Sequence, residues 1–122
     1  MRLLLALALL PLPLAAQETD CANAMTQTDM NICADRDMQE ADNALNAAYG
    51  TAMDRMRGAG EGGVEALRKA QRSWITFRDQ ACAAEGWLHE GGSMQPMVVA
   101  GCKTRLTQDR TLDLARFATE GN

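Results

Sequence analysis

The stretch AQRSWITFRDQAC, residues 70–82, decides how this chain is read. It gathers a Trp, a Phe, two Arg, an Asp, two Gln and a Cys into about four turns of helix. Laid out at about 100° per residue, it separates into faces. Ala70, Trp74, Phe77 and Ala81 recur at spacings of three and four and, with Leu67 and Leu88, make an apolar seam. Arg72, Thr76 and Asp79 fall on the opposite side. Gln71 and Arg78 sit about 40–60° from Trp74, at the edge of the seam. Trp74 therefore reads as core rather than as part of a binding site.

Outward from this segment the same pattern continues. Ala, Met, Leu, Gln, Arg and Glu dominate, aliphatic β-branched residues are few, and no strict alternation appears. The expectation is all-α: a small antiparallel bundle of three helices. The first helix is predicted from about Gln27 to Arg57, with Thr26 and Asp29 in capping-box spacing and a stripe of Ala34, Met38, Ala41, Leu45, Tyr49, Ala52 and Met56. GAGEGG, residues 58–63, stops it. The second runs from about Val64 to His89 and ends at Gly91 and Gly92. The third starts near Ser93 as a cap, with Pro96 in its first turn and Val99, Leu106, Leu114 and Phe117 as its stripe. Gly101 is an interior flaw that would admit a close neighbour.

The chain's start is of another kind. MRLLLALALLPLPLAA, residues 1–16, has one basic residue, a Leu-rich run and small residues at its end, the pattern of a secretory signal cut after Ala16. The run is short for a membrane span, and Pro11 and Pro13 break it. No Cys follows the small residues directly, so no lipid anchor is expected. The predicted mature domain is residues 17–122, with 11 basic and 16 acidic side chains once Arg2 leaves with the signal. This acidity argues against nucleic acid as a partner and favours basic ones. No membrane association is expected after signal removal, and the predicted location is the periplasm or the exterior.

Cys21, Cys33, Cys82 and Cys102 form an even set in a short exported chain, which reads as two disulfides. A metal site would want CxxC spacing or His partners, and the one His is His89. Cys82 and Cys102 lie nearly equally far from the Gly91–Gly92 turn, so an antiparallel hairpin brings them together. Such a bond closes a loop worth about 3 kcal/mol by chain entropy. Cys33 points about 140° away from the Met38 stripe, which suits a bond to the preceding arm through Cys21. The expected pairs are Cys21–Cys33 and Cys82–Cys102.

No catalytic residues, cofactor-binding residues or metal ligands are assigned. Nucleophilic catalysis needs a base beside the nucleophile, and His89 lies next to the glycine turn with no free thiol available. Asp35, Asp37, Glu40 and Asp42 form an acidic patch early in the first helix, read as a solvated face favourable near a helix N-terminus. Asp42 differs, being about 40° from the Met38 stripe. With Gln71, Arg78 and Arg110 it forms a set of polar residues at core edges, which need partners. The reading is internal pairing that fixes helix register; a recognition pocket is the alternative. Trp87, with His89, Met94 and Met97 around the second turn, is either a partner-binding surface or a plug for the end of the bundle.

Several blocks together resemble the LprI-like lysozyme inhibitor N-terminal domain. They are CANAMTQTDMNICA (21–34), ADNALNAAY (41–49), AQRSWITFRDQAC (70–82), and GGSMQP (91–96) with CKTRLTQDR (102–110), in the family's order. The resemblance implies a helical, disulfide-bonded fold and, as in the founding lipoprotein, inhibition of lysozyme. It implies no residue-level inhibitory motif, and many members have no assigned activity. The functional expectation is a secreted or periplasmic protein-binding module whose partner is lysozyme or another basic protein. The alternative is a structural or adaptor module of the cell envelope. An enzyme is not expected.

Overall fold

From Gln27 onward good helix formers dominate, and in the computed structural model, which describes residues 18–120, they form three helices with no strand among the described residues. The expected signal peptide and its cleavage point lie outside the described residues. A short 3-10 turn, Cys21–Asn23, precedes α1 (Gln27–Gly58), α2 (Glu61–Trp87) and α3 (Gln95–Thr119). Asn31 Nδ2 donates to the Ser93 carbonyl at 3.0 Å, and near the other end Arg55 Nη1 donates to the Ala118 carbonyl at 3.1 Å. α1 and α3 therefore run in the same direction, with α2 antiparallel to both. The α1–α3 packing is the most extensive and the α1–α2 packing the thinnest.

Each boundary has a local cause. Thr26 Oγ1 accepts the Asp29 backbone N–H at 3.0 Å and caps α1. The reversal after α1 needs only Gly60, at φ 102°, so α2 begins at Glu61 rather than Val64 and takes Gly62 and Gly63 into its first turn. Ser93 does not cap α3. Its carbonyl is engaged by Asn31, the cap position is Met94, and Pro96 follows in the first turn. Both expected disulfides are present, Cys21–Cys33 and Cys82–Cys102, with Cα separations of 5.6 and 5.5 Å.

The apolar core is Leu45, Ala52, Met53, Leu67 and Leu114, flanked by Tyr49, Met56, Val64 and Trp74. All of these lie toward the Gly60 turn. Toward the other end the buried set is Ala41, Arg78, Cys82, Gly86, Cys102 and Thr107. At Gly86 α2 packs closely on α3: a Cβ there would sit 2.4 Å from Val99 Cγ2. Gly101, expected to serve that purpose, faces open space.

The seam of α2 is rotated from the expected one. Its buried line is Leu67, Gln71, Arg78, Cys82 and Gly86, whereas Phe77 is 60% exposed, Leu88 83% exposed, and Ala70 also faces solvent. The Cys82–Cys102 bond and the Gly86 approach fix which side of α2 meets α3, and Arg78 shares that side because four residues bring the helix back to nearly the same face. The polar residues at the edge of the seam are thus its middle. On α3, Leu114 is buried and Phe117 is at the rim.

Candidate functional site

Arg78 stands where the three helices meet. Its Nη1 lies 3.3 Å from Asp42 Oδ1 on α1 and 3.3 Å from Thr107 Oγ1 on α3, and its Nε donates to Asp79 Oδ1 at 3.0 Å. Lys103 Nζ approaches the same Asp79 oxygen at 3.7 Å. The guanidinium carbon stands 5.3 Å from the centroid of the Trp74 ring, within cation–π range. The Arg78 side chain is 10% exposed, whereas its partners Asp42 and Asp79 are about half exposed. A buried cation is tolerable here because two carboxylates compensate it from the surface side and Thr107 accepts from within. One level down, Arg110 Nε donates to Gln71 Oε1 at 3.0 Å. The four polar residues Asp42, Gln71, Arg78 and Arg110 therefore form two inter-helix pairs, one level apart. Thr107 and Asp79 complete the cluster: Asp79, expected opposite the seam, is half-buried against Arg78 because the seam is rotated toward it, and Thr107 lies on the face of α3 that Leu114 shares, seven residues on. No buried side-chain nitrogen or oxygen among the described residues lacks a hydrogen-bond partner, and no nucleophile–base pair is among the cluster. The cluster bonds α2 to both α1 and α3.

A second arrangement lies at the disulfide-bearing end, where α1 and α3 begin and α2 finishes. Gln27 Nε2 approaches Met97 Sδ at 3.7 Å, which ties the start of α1 to the start of α3. The arm before α1 is held by the Cys21–Cys33 bond and by Arg36, whose Nη1 donates to the Thr19 carbonyl at 2.7 Å. Asp20 accepts from the Asn23 side-chain amide at 2.8 Å and from the Ala22 backbone N–H at 3.0 Å, and these bonds, the Asn23 bond foremost, hold its carboxyl below the ordinary range. On this fixed frame large apolar side chains stand in solvent: Met25 at 87%, Trp87 at 67% and Leu88 at 83% exposure. Met94 is exposed to a lesser degree, and His89 and Met97 are half-buried beneath the turn. Trp87 and Met94 thus face solvent, while His89 and Met97 belong to the support. Met25 and Leu88 join the exposed set; Leu88 was read as seam because the phase of α2 was read one position off.

Charge is divided along the bundle at the level of Arg78. Residues 18–42 and 78–106 carry ten acidic and four basic side chains, a net of −6. Residues 43–77 and 107–120 carry six acidic and seven basic, a net of +1. The whole acidity of the described chain therefore lies in the half that bears the disulfides and Trp87. No group of three or more His, Cys, Asp or Glu among the described residues is arranged to hold a metal ion, and no described helix is long and apolar enough to cross a membrane.

Comparison with known proteins adds to this geometry. The family model described as "Lysozyme inhibitor LprI" matches residues 19–114. An uncharacterized protein, R02472, of Rhizobium meliloti (strain 1021) is 43% identical over 107 residues, spanning 80% of this chain and 77% of that protein. A crystal structure of a DUF1311 family protein from Pseudomonas putida KT2440 superposes with a TM-score of 0.73 at 23% identity, covering 79% of this chain and 97% of that one, and so shares the fold.

Proposed function

Because the chain belongs to the lysozyme inhibitor LprI family, we propose that it is an exported protein-binding module that inhibits lysozyme by occupying it with the disulfide-bearing end of the bundle. One observation carries this reading: the exposed Trp87 stands in the half of the molecule that holds all of its net negative charge. Lysozymes are strongly basic, so the −6 half steers the encounter and raises the association rate. An aromatic anchor then supplies the apolar burial that charge alone does not. The end is held before any partner arrives, by one disulfide across α2 and α3 and one pinning the arm, so little ordering cost falls on binding. Two disulfides fit an oxidising compartment, and the Leu-rich start provides the export signal. The activity is binding, and no turnover chemistry is assigned to any residue.

The test is the lytic rate of several lysozymes on a bacterial cell-wall substrate, with and without micromolar mature protein, at low and raised salt. The expected outcome is inhibition that weakens with salt and a Trp87→Ala variant that inhibits at least tenfold less while keeping its helical spectrum. Absence of inhibition of every lysozyme at low salt would overturn the inhibitor reading and leave an adaptor module of the cell envelope. Inhibition unchanged in Trp87→Ala would move the contact away from this end.

A further inference from the structure

The rotation of α2 leaves it with a second apolar face that is mostly exposed; only Ala81 on it is half-buried, and Ala66 and Ala70 border a groove toward α3. Starting from Ala66 it runs through Ala70, Ser73, Phe77, Ala81 and Ala84 to Leu88. All seven lie within about 40° of Phe77 on the helix surface, over a length of about 33 Å. None is charged, and its two large members, Phe77 and Leu88, are 60% and 83% exposed. The spacing reads 4, 3, 4 up to Phe77 and 4, 3, 4 after it, so the face is symmetric about Phe77.

We propose that this face is an isologous interface at which a second copy of the chain binds, its α2 antiparallel and the two-fold axis passing beside Phe77. An isologous contact requires one patch to complement itself, and the spacing meets that condition. Phe77 then meets Phe77 of the copy, Ser73 meets Ala81, Ala70 meets Ala84, and Ala66 meets Leu88. Small residues on either side of the central Phe let the two backbones approach, and each Leu88 closes over the other copy's Ala66. Charge selects the direction. Antiparallel pairing sets the −6 half of each copy beside the +1 half of the other, while parallel pairing would set −6 against −6. Trp87 lies about 100° round the helix from Leu88, so both partner-binding ends stay free at opposite ends of the pair. The inference does not depend on the lysozyme reading.

Sedimentation of the mature protein over 1–200 μM is expected to show twice the monomer mass at the upper concentrations. Phe77→Glu, on an exposed position, is expected to stay monomeric throughout with an unchanged helical spectrum. Single cysteines read the direction. Phe77→Cys is expected to give a cross-linked dimer under mild oxidation, Ala70→Cys alone none, and the Ala70→Cys/Ala84→Cys double variant a dimer linked twice, with the native disulfides verified by peptide mapping. A protein that remains monomeric at 200 μM, a dimer indifferent to Phe77→Glu, or cross-linking by Ala70→Cys alone would each overturn the proposal.

Discussion

Below the level of Arg78, toward the Gly60 turn, the helices are joined by Leu45, Ala52, Met53, Leu67 and Leu114, an apolar core of ordinary kind. Above it the buried set shrinks to Ala41, Gly86, Thr107 and the Cys82–Cys102 cystine, while the Cys21–Cys33 bond lies toward the surface, and the largest apolar side chains there face outward. The lower half is near neutral and the upper half strongly acidic. A domain of this size has limited apolar surface to bury. Where the Cys82–Cys102 bond joins α2 to α3, Trp87, Leu88 and Met25 stand in solvent. The same chain thus uses two means of cohesion, and the second is what makes an exposed apolar end affordable.

This contrast breaks first at its boundary. Arg78→Ala removes a charged side chain bonded to both neighbouring helices and opens a cavity beside Thr107; a loss of roughly 3–4 kcal/mol is expected in denaturant unfolding. Arg78→Met keeps most of the volume and should lose clearly less. Equal losses would mean that the charge, not the packing, unites the halves. Next, the Cys82→Ser/Cys102→Ser double variant should cost about 3 kcal/mol and lower Tm by 10 °C or more. Amide exchange should then accelerate in residues 78–106 before the apolar half responds. Uniform acceleration would show that the halves are not separable. A smaller effect is expected at the open end, where Arg55 donates to the carbonyls of Ala118 and Glu120 and closes the C-terminus of α3. Arg55→Ala should cost about 1 kcal/mol and fray only the last turn, read as faster exchange near Thr119. Least of all, Asp20→Asn should loosen the arm alone. The Asp20 carboxyl is lowered in the folded chain, so its contribution is present above the unfolded value near 3.8 and is lost as pH falls through the folded one. Protection of the backbone amides in residues 18–24, taken against their intrinsic exchange rate at each pH, should therefore fall on acidification in the parent protein and change less in the variant.

Much of this was legible from sequence. Helix number, the α1 stripe and both cystine pairs follow from periodicity and from the placement of Cys relative to glycine turns. The phase of α2 was not legible, for a physical reason. α2 has two usable faces, one of Ala70, Ser73, Phe77 and Ala81, and one of Leu67, Gln71, Arg78 and Cys82. Hydrophobicity favours the first. The second wins because the Cys82–Cys102 bond and the Gly86 approach turn it toward α3, and Arg78 and Gln71 then find Asp42, Thr107 and Arg110 on other helices, partners invisible along a single strand of text. The candidate binding end was half visible: Trp87 and Met94 beside a glycine turn were identified, while Leu88 was assigned to the seam and Met25 to nothing.

The position of Arg78 also sets an order of events during synthesis. Its partners are contributed by residue 42, long since made, and by residue 107, made late. The α1–α2 packing is the thinnest in the bundle, so the hairpin emerging first has little to hold it. A growing chain therefore carries an uncommitted guanidinium until the second half of α3 appears. Docking of α2, oxidation of Cys82 with Cys102 and burial of Leu114 then become nearly simultaneous, and a chain truncated anywhere before residue 107 should be handled by the cell as unfolded.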